Sequence, residues 1–568
     1  MAFMPHNKAI RQRIIFSLSL RIQRFHLGRM LLSYFFRYRY SSWLRKYERL
    51  DKDDRAHIQK CVKTGRIPET AIAVLFVKDT LGEASRIAQN IRQQCVKVSC
   101  IVLLLPEDLT EDEINRVVTA FADVKPVYLI LKEGDLDALE IKNETFIFLE
   151  ASVILHEQAV AVFALEMAKH KAQFVYCDED IFMKGKRRDP FFKPEYSPVL
   201  LENDDYLGSC GLIKTDKVSV LALFKKLRLM QSVSSFLSFF VKTVPPKAIA
   251  HAPFVLFSEN KRIKKHLIPK VSSDDDTEQI QTVSIIIPTR NNVEVLKTCI
   301  ESILQKTDFE RSLYEIIVVD NGSDESNALG YIVGGEEKKL FRVIRDNREF
   351  NYSRLNNEAA DTSTADVLVF LNNDTEIIQS DWLQRLVRQA MQPDTGAVGA
   401  KLLYPDRTVQ HAGVLMGIIG GAIHAFVYLD ENDKGYHGFT IMDREVSAVT
   451  GACLAMRRQV FEEIGQFDVN LPVTFNDVLL CISAMNKGYT NVVLNTVKLI
   501  HYESKSRGYD TTPEKIRLNQ KAWDYAKEKG KVYFEEDKYY SPNLSTSVPY
   551  QLAFPPRRKK LWFSDGKL

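Results

Sequence analysis

The stretch Val-Ser-Ile-Ile-Ile-Pro-Thr-Arg-Asn-Asn, residues 283–292, joins a mostly apolar run to a polar turn. A short apolar run that stops at a proline predicts a buried strand ending at Pro288. A helix is predicted next over residues 293–304, and a second strand over residues 316–319 leads into Asp320. Because strands that alternate with helices are typical of a parallel sheet, this stretch predicts an α/β fold.

Polar side chains follow other predicted strands of the same unit. Asp374 ends a polar turn after a strand predicted over residues 367–371, and His501 follows a strand predicted over residues 497–500. Asp477 opens a predicted helix between them. Open α/β sheets bind ligands at the carboxyl ends of their strands, so we expect these side chains to face one ligand.

The composition is that of a globular protein with more than one domain. The chain has 568 residues, of which 45% are hydrophobic and 26% are charged, and this length predicts two or three domains. Its eight cysteines are scattered without a Cys-x-x-Cys pair, so a reduced, cytoplasmic chain fits better than a disulfide framework. The apolar stretch at residues 413–429 contains four glycines and a histidine. We expect it to be buried globular chain, because it is short for a membrane-spanning helix.

Positive charge is concentrated towards both ends of the sequence. Residues 1–47 contain ten lysines and arginines and no acidic residue, and a second basic run covers residues 557–560. Such patches suit an anionic surface, and we expect a membrane surface rather than a nucleic acid. Residues 9–44 predict a helix, which either lies in the interface of the membrane or packs on the rest of the protein. We therefore expect a cytoplasmic protein, with the first alternative placing it peripherally on the inner face of the cell membrane.

A similar α/β pattern precedes the one that begins at Val283. Predicted strands and helices alternate from about Thr70, and a polar stretch with three consecutive aspartates separates the two patterns. Two such patterns in tandem indicate a duplicated architecture. The predicted organisation is a basic helical N-terminal segment (1–69), a first α/β domain (70–257), a linker (258–281), a second α/β domain (282–510), and a C-terminal helix with an extended basic tail (511–568).

The polar strand ends of the second unit suit a nucleoside diphosphate. Asp320 is placed to accept hydrogen bonds from a base and a ribose. The unit has no Gly-x-x-x-x-Gly-Lys loop, so the two phosphates need a divalent cation. Mg²⁺ takes one or two carboxylates together with phosphate and water oxygens, and Mn²⁺ also accepts a nitrogen ligand. Asp374 and His501 are therefore the candidate metal ligands.

Asp477 is the candidate general base. A carboxylate at the N-terminus of a helix is kept ionised by the helix dipole, and it can accept the proton of an attacking hydroxyl. Each candidate also has a structural interpretation: Asp320 can belong to an ordinary turn, Asp477 can be a helix-terminal carboxylate, and His501 can be a core histidine. Their order along the chain, each at the end of a predicted element, favours the functional interpretation.

Over residues 283–508 the chain resembles a family-2 inverting glycosyltransferase with the GT-A fold. The pieces that carry the resemblance are Val-Ser-Ile-Ile-Ile-Pro-Thr-Arg (283–290), Val-Val-Asp-Asn-Gly-Ser (318–323), Phe-Leu-Asn-Asn-Asp-Thr (370–375), Val-Thr-Gly-Ala-Cys-Leu (449–454), Phe-Asn-Asp-Val (475–478) and His-Tyr-Glu-Ser-Lys-Ser-Arg-Gly (501–508). In the first unit, Tyr-Cys-Asp-Glu-Asp-Ile (176–181) and Phe-Lys-Pro-Glu-Tyr-Ser-Pro (192–198) are similar to a segment of related domains. The whole chain thus resembles a tandem bacterial glycosyltransferase of the surface-polysaccharide type, with two GT-A-like domains.

The resemblance implies a role for each matching residue. Asp477 would be the general base of a single displacement, and Asp374 and His501 would bind Mn²⁺ or Mg²⁺. The residues that would bind the nucleotide of a UDP- or dTDP-sugar donor are Pro288, Thr289, Arg290, Asp320, Asn372, Asn373 and Arg507. The acceptor would be a hydroxyl of a growing, lipid-linked glycan of the cell envelope.

Several positions depart from the family's pattern. Asn372 replaces the first aspartate of an Asp-x-Asp metal motif, which leaves Asp374 as the main carboxylate and implies modest metal affinity. Leu479 stands where the family commonly has an aspartate, a change that concerns the acceptor contacts. In the first unit, residues 150–152 (Glu-Ala-Ser) stand at the expected metal motif, and residues 106–108 (Pro-Glu-Asp) stand at the expected diphosphate turn. We therefore expect the first unit to be a degenerate, non-catalytic domain.

The sequence leaves two further functions open. A non-catalytic, sugar-binding scaffold of a glycan-assembly complex is favoured by Asn372 and by the altered first unit. A nucleotidyltransferase on a similar sheet is disfavoured, because the chain lacks the Gly-rich basic loop that triphosphate chemistry needs. Within the first unit, the acidic residues 178–180 are expected to be structural or to face the acceptor.

Overall fold

The computed structural model describes residues 39–124, 126–131, 135, 143–215, 217–260, 281–502 and 512–563. Two β-sheets of nine and ten strands form the centre, and helices pack on their faces. The predicted α/β fold class is confirmed. Most of the basic N-terminal segment, most of the predicted linker, and Arg507 lie outside the described residues.

The strands divide between two sheets and one hairpin. The first sheet contains β1 (Ala71–Leu75), β2 (Ile101–Leu104), β3 (Val127–Ile130), β4 (Thr145–Glu150), β5 (Ile154–Leu155), β6 (Phe174–Met183), β7 (Lys186–Phe191), β8 (Cys210–Lys214) and β9 (Ile249–Glu259). The chain continues with β10 (Val283–Thr289), β11 (Tyr314–Asp320), β12 (Arg342–Arg345), β13 (Val367–Leu371), β14 (Thr375–Ile377), β15 (Thr395–Leu403), β16 (Val409–His411), β17 (Val414–Ile418), β18 (Gly421–His424), β19 (Arg444–Val446), β20 (Cys453–Arg457) and β21 (Thr490–His501). All of these form the second sheet except β17 and β18, which make a hairpin.

Helices connect the strands and cover the sheets. They are α1 (Lys52–Lys63), α2 (Ala84–Arg92), α3 (Glu111–Ala120), α4 (Ala159–His170), α5 (Pro198–Asn203), α6 (Lys217–Met230), α7 (Val233–Val241), α8 (Val293–Lys306), α9 (Ser326–Glu337), α10 (Tyr352–Asp361), α11 (Trp382–Ala390), α12 (Arg458–Glu463), α13 (Asn476–Asn486), α14 (Pro513–Lys529) and α15 (Lys531–Glu535). None of the helices in the described ranges combines the length and the apolar character needed to cross a bilayer.

The two sheets share one strand order. The first runs β3-β2-β1-β4-β8-β6-β9-β5, and the second runs β12-β11-β10-β13-β20-β15-β21-β14. In both sheets the first three pairs are parallel, the next two antiparallel, the sixth parallel and the last antiparallel. This agreement in order and direction is what a duplicated architecture predicts.

The core of the second sheet explains why its strands could be found in the sequence. Every residue of β13 is buried, with alternate side chains in the clusters on either face. A parallel strand covered on both faces is apolar at consecutive positions, and this is the pattern of β10, β11 and β13.

Some element boundaries differ from the sequence prediction. β9 extends through Glu259, two residues into the predicted linker, because Ser258 and Glu259 pair with β6. The apolar stretch at residues 413–429 contains the β17–β18 hairpin, which confirms that it is globular chain. Tyr40 and Trp43 are fully buried, so the described part of the basic N-terminal segment packs on the protein.

The acidic residues 178–180 form an internal hydrogen-bonding centre. Asp178 Oδ1 accepts a hydrogen bond from His251 Nε2 at 2.8 Å, and Asp178 Oδ2 accepts one from Asn543 Nδ2 at 2.9 Å. Asp180 Oδ2 accepts a hydrogen bond from the Tyr40 hydroxyl at 2.6 Å. Because Tyr40 and Asn543 come from opposite ends of the described chain, this centre ties both terminal segments to the first sheet, which supports the structural interpretation.

The variant Asp178→Asn is expected to destabilise the fold by about 3 kcal/mol, the cost of removing one partner of a buried ion pair. Burial lowers the pKa of His251, but the adjacent Asp178 carboxylate outweighs burial and raises that pKa to about 9. An unfolded histidine titrates near pH 6.5, so the pair stabilises the fold fully below about pH 6.5. This contribution is lost as the pH rises through about 9. Urea unfolding at about pH 6 and at about pH 9.5 measures the effect.

The exposed Asp394 provides the matched control, since Asp394→Asn removes a carboxylate without removing a buried partner. We expect the control to unfold like the wild type at both pH values, and Asp178→Asn to show a flatter pH dependence. Wild-type pH dependence in Asp178→Asn would contradict the role assigned to the pair.

Candidate functional site

The predicted site residues of the second sheet follow one edge of that sheet. Asp320 ends β11 and lies in register with Thr289, the last residue of β10. Thr289 Oγ1 accepts a hydrogen bond from Asn373 Nδ2 at 2.9 Å. Asn373 and Asp374 lie in the turn that follows β13, and β10 is the neighbour of both β11 and β13. A continuous path of contacts therefore joins Asp320 to Asp374 across three strands.

Asp320 is fully buried at this edge and is paired with an arginine. Its Oδ1 accepts a hydrogen bond from the backbone N–H of Ser323 at 3.0 Å, and its Oδ2 lies 3.0 Å from Arg345 Nη1. Arg345 Nη2 also donates to the Ser323 carbonyl at 2.8 Å. Arg345 was not predicted as a site residue from the sequence, although its place at the end of a strand beside β11 was a usable signal. A ligand that bonds to Asp320 Oδ2 would compete with this arginine.

Asp374 and His501 face each other, as the metal-site hypothesis requires. His501 ends β21 and is paired with Thr375 of β14, and its Nε2 lies 3.0 Å from Asp374 Oδ1. On the other side of the ring, His501 Nδ1 lies 2.6 Å from Gln410 Oε1. An amide oxygen can only accept, so Nδ1 carries a proton. Gln410 therefore fixes the orientation of the imidazole.

This pair fits a divalent cation. Asp374 Oδ1 is buried and accepts no hydrogen bond from any other described side chain or backbone group. A neutral His501 protonated at Nδ1 turns the lone pair of Nε2 towards that oxygen, which is unfavourable unless a proton or a cation lies between them. Asn372 Nδ2 is 3.4 Å from Nε2, which places a third polar side chain beside the pair. The oxygen and nitrogen donors match the preference of Mn²⁺.

Within the described ranges, no cluster of three or more histidine, cysteine, aspartate or glutamate side chains could hold a metal ion. A cation held by Asp374 and His501 would thus need ligand oxygens and water to complete its shell, which is common for ions that bridge phosphates.

Asp477 lies in the first turn of α13, close to the same edge. Its Oδ2 accepts a hydrogen bond from the backbone N–H of Gly451 at 2.9 Å, and its Oδ1 accepts one from the N–H of Val478 at 2.8 Å. The residue after Gly451, Ala452, accepts a hydrogen bond at its carbonyl from the N–H of Asn372 at 3.0 Å. The segment 451–452 therefore bridges the candidate base and the candidate metal pair.

Tyr352 contacts the same segment at Gly451. Its hydroxyl donates to the Gly451 carbonyl at 2.8 Å. Burial raises the pKa of Tyr352 and the charge of Asp477 raises it further, so the hydroxyl keeps its proton and remains a donor. A Cβ on residue 451 would lie 3.1 Å from the Tyr352 hydroxyl oxygen, and glycine is what permits this close approach.

A cavity of about 740 Å³ opens beside Asp477, within the usual size range of ligand pockets. Its walls come from the β17–β18 hairpin, the loop before α13, and helix α14. His424 of the hairpin lines the cavity, and its Nδ1 lies 3.2 Å from the Gln410 carbonyl oxygen. Since the side chain of Gln410 contacts His501, this residue connects the cavity wall to the candidate metal pair. The cavity lining itself includes neither Asp320 nor Asp374.

The remaining predicted nucleotide-binding residues are placed as follows. Pro288 is buried near the end of β10, and Arg290 is exposed at the turn that follows. Arg507 lies outside the described residues. Gln410 and the residues of α14 were missed by the sequence analysis because they reach the site from β16 and from the C-terminal region, and no local pattern marks them.

Strand register identifies the first-sheet counterparts of three site residues. The pairing of β5 with β9 matches that of β14 with β21, and the pairing of β1 with β2 matches that of β10 with β11. The counterparts of Asp320, Asp374 and His501 are, in that order, Leu105, Ser152 and Glu259. A leucine and a serine at these positions supply neither of the two carboxylates, which supports the expectation that the first unit does not bind a metal-bridged diphosphate.

Comparison with known proteins shows what the second unit is similar to. Residues 284–465 match the model of the family described as Glycosyl transferase family 2. The uncharacterized protein y4gI of Sinorhizobium fredii is 32% identical over 494 residues, which cover 78% of this chain and 54% of that protein. The O-antigen biosynthesis protein RfbC of Myxococcus xanthus is 30% identical over 491 residues, which cover 78% of this chain and 38% of that protein.

The chain thus spans about half, or less, of the length of these relatives. Among solved structures, that of GalNAc-T7 with UDP, GalNAc and Mn²⁺ aligns with a TM-score of 0.35 and 17% identity, over 45% of this chain and 50% of that one.

Proposed function

We propose that this chain is a metal-dependent, inverting glycosyltransferase that moves a sugar from a nucleoside-diphosphate donor to a hydroxyl of a growing cell-surface glycan. The observation that carries the proposal is the contact of Asp374 with His501 at the sheet edge that also holds Asp320, with Asp477 close by in α13. The family-2 domain at residues 284–465 supports the reaction class. The relative named for O-antigen biosynthesis supports a surface glycan as acceptor.

The strand ends of the second sheet would hold the donor. Asp320 would accept hydrogen bonds from the base or the ribose, in place of its contact with Arg345. The residues proposed to flank the nucleotide are Pro288, Thr289, Arg290, Asn372, Asn373 and Arg507. Asp374 and His501 would hold Mn²⁺ or Mg²⁺, which would supply positive charge to offset that of the leaving nucleoside diphosphate.

Asp477 would act on the acceptor. Its two oxygens accept backbone N–H groups from Gly451 and Val478, and these bonds orient the carboxylate while leaving lone pairs free. Asp477 accepts the proton of the acceptor hydroxyl as that oxygen attacks the anomeric carbon from the face opposite the diphosphate. The bond to the diphosphate breaks in the same displacement, through a transition state with oxocarbenium character, and the anomeric configuration inverts.

A panel of UDP- and dTDP-sugars tests the proposal. The sugars are glucose, galactose, rhamnose and N-acetylglucosamine, each with Mn²⁺, with Mg²⁺ or with a chelator. We expect metal-dependent release of UDP or dTDP from one donor. Tight donor binding without release under any condition would instead favour a sugar-binding scaffold, and release of pyrophosphate from a nucleoside triphosphate would favour nucleotidyl transfer.

A further inference from the structure

The cavity beside Asp477 is lined in part by the aromatic side chain of Trp523. Helix α14 contributes Trp523, a partly buried side chain, and the tip of the β17–β18 hairpin lies opposite its ring. A Cβ on Gly421 of the hairpin would lie 3.6 Å from a ring carbon of Trp523. At residue 421 the hairpin therefore approaches the indole through its backbone. No side chain of that residue lies between the hairpin and the ring.

Neighbouring aromatic side chains pack against the indole, so it loses little conformational freedom when a ligand binds. Phe475 lies 5.6 Å from the Trp523 ring and Phe534 lies 5.2 Å from it, the latter edge to face. Lys527 Nζ lies 5.7 Å from the ring centroid. A platform fixed before the ligand arrives avoids part of the entropic cost of binding.

The charges of the cavity lining nearly balance. Among the described lining residues, Asp477 is the carboxylate and Lys527 the ammonium, while the other polar side chains are amides, a hydroxyl, an imidazole and the indole N–H of Trp523. A phosphate-bearing ligand would need more cations than one lysine, and Asp477 would repel it. A ligand with one apolar face and many hydroxyl groups fits this lining better, and that is the chemistry of a neutral sugar.

The hairpin tip is strained where it meets the cavity. Ile419 and Gly420 both have positive φ, at 51° and 74°, as the two central residues of a tight hairpin turn require. A left-handed conformation is costly for a β-branched residue, and such strain is concentrated at binding sites. The N–H of Ile419 donates to the Thr546 carbonyl at 2.8 Å, so the C-terminal segment holds this conformation in place.

We propose that the cavity binds the terminal neutral sugar of the acceptor glycan, stacked on Trp523 with one hydroxyl directed to Asp477. The identification of this sugar as the acceptor rests on the proposed function, whereas binding of a sugar in the cavity does not. Helix α14 then belongs to the acceptor site, and Trp523 and Gly421 contribute to its specificity.

Intrinsic fluorescence tests this directly. The chain has four tryptophans, and Trp43, Trp382 and Trp562 are buried at 0%, 0% and 3% exposure. Trp523 is therefore the tryptophan that a ligand can reach. The probes are the methyl glycosides of glucose, galactose, rhamnose and N-acetylglucosamine, titrated into the full chain without donor. We expect at least one glycoside to change the emission saturably, with a Kd in the millimolar range typical of single sugars.

Three variants locate the binding. Trp523→Ala should weaken binding about tenfold or more, measured by saturation-transfer NMR because the fluorophore is lost. Gly421→Leu keeps the indole but fills the space before it, so it should also abolish the emission change. Leu518→Ala, at an exposed position on the same helix outside the cavity lining, should bind like the wild type. The inference is overturned if no glycoside gives a saturable signal, or if binding survives both cavity variants.

Donor measurements separate this inference from the proposed function. If UDP or dTDP is released from a donor while every glycoside fails to bind, the proposed acceptor site is contradicted and the proposed transferase activity is supported. If a glycoside binds in the cavity while no donor is ever turned over, the proposed transfer is contradicted and the proposed sugar site is supported.

Discussion

Replacing Asp477 with asparagine is expected to lower kcat by about 10²–10⁴-fold, the usual contribution of a general base, with donor affinity little changed. An asparagine matches the carboxylate in shape but cannot take up a proton. Its Nδ2 group would also face the N–H of Gly451 or Val478, both of which donate to Asp477, so one hydrogen bond is lost. Initial rates of nucleoside diphosphate release give kcat, and calorimetry with UDP or dTDP in the presence of Mn²⁺ gives the donor affinity.

The matched control for Asp477 is Glu294, an exposed carboxylate in the first turn of α8. Glu294→Gln removes the same favourable interaction with a helix dipole, so it controls for local stability. We expect the control to retain wild-type kcat. Full turnover in Asp477→Asn would show that another group accepts the proton, and a parallel loss of donor affinity would indicate that the site had rearranged.

The sequence could predict the strands that carry the donor side of the site because those strands are buried on both faces. β13 was predicted with the bounds that the structure has, 367–371. Asp320, Asp374 and His501 lie at or just after strand ends, so their common edge could be inferred from the parallel fold alone. The structure then brings Asp374 to 3.0 Å from His501 across 127 residues of sequence, which the strand order makes possible.

The parts of the site that depend on distant pairing could not be predicted. Gln410 reaches His501 from β16, 91 residues earlier in the chain, and Arg345 reaches Asp320 from the neighbouring strand β12. The cavity depends on α14 packing against the loop before α13, through the contact of Trp523 with Phe475. These contacts follow from tertiary packing of polar and aromatic side chains whose local patterns are those of ordinary surface helices and short strands.

Replacing Asp374 with asparagine is expected to lower kcat/KM by about 10²–10³-fold, which corresponds to the several kcal/mol that a bound cation contributes to a developing negative charge. Asp374 Oδ1 is the carboxylate oxygen that faces His501 Nε2. The neighbouring Asn372 is already a neutral amide. The substitution therefore leaves the candidate metal site of Asp374 and His501 without any anionic ligand. The loss should exceed that of an Asp-x-Asp site, where a second carboxylate would remain.

Binding of Mn²⁺ distinguishes this explanation for Asp374 from a structural one. Electron paramagnetic resonance with UDP present should show weaker Mn²⁺ binding in Asp374→Asn, and raising the Mn²⁺ concentration should restore part of the activity. Ser152 is the counterpart of Asp374 in the first sheet, and Ser152→Ala should change neither measurement, because a serine supplies no carboxylate at that position. Wild-type Mn²⁺ binding in Asp374→Asn would contradict the metal site, and an equal effect of Ser152→Ala would show that the first sheet takes part in donor binding. The expected contrast between the two variants follows from the position that they share in sheets of the same topology: the second sheet has the carboxylate of Asp374 where the first has the hydroxyl of Ser152.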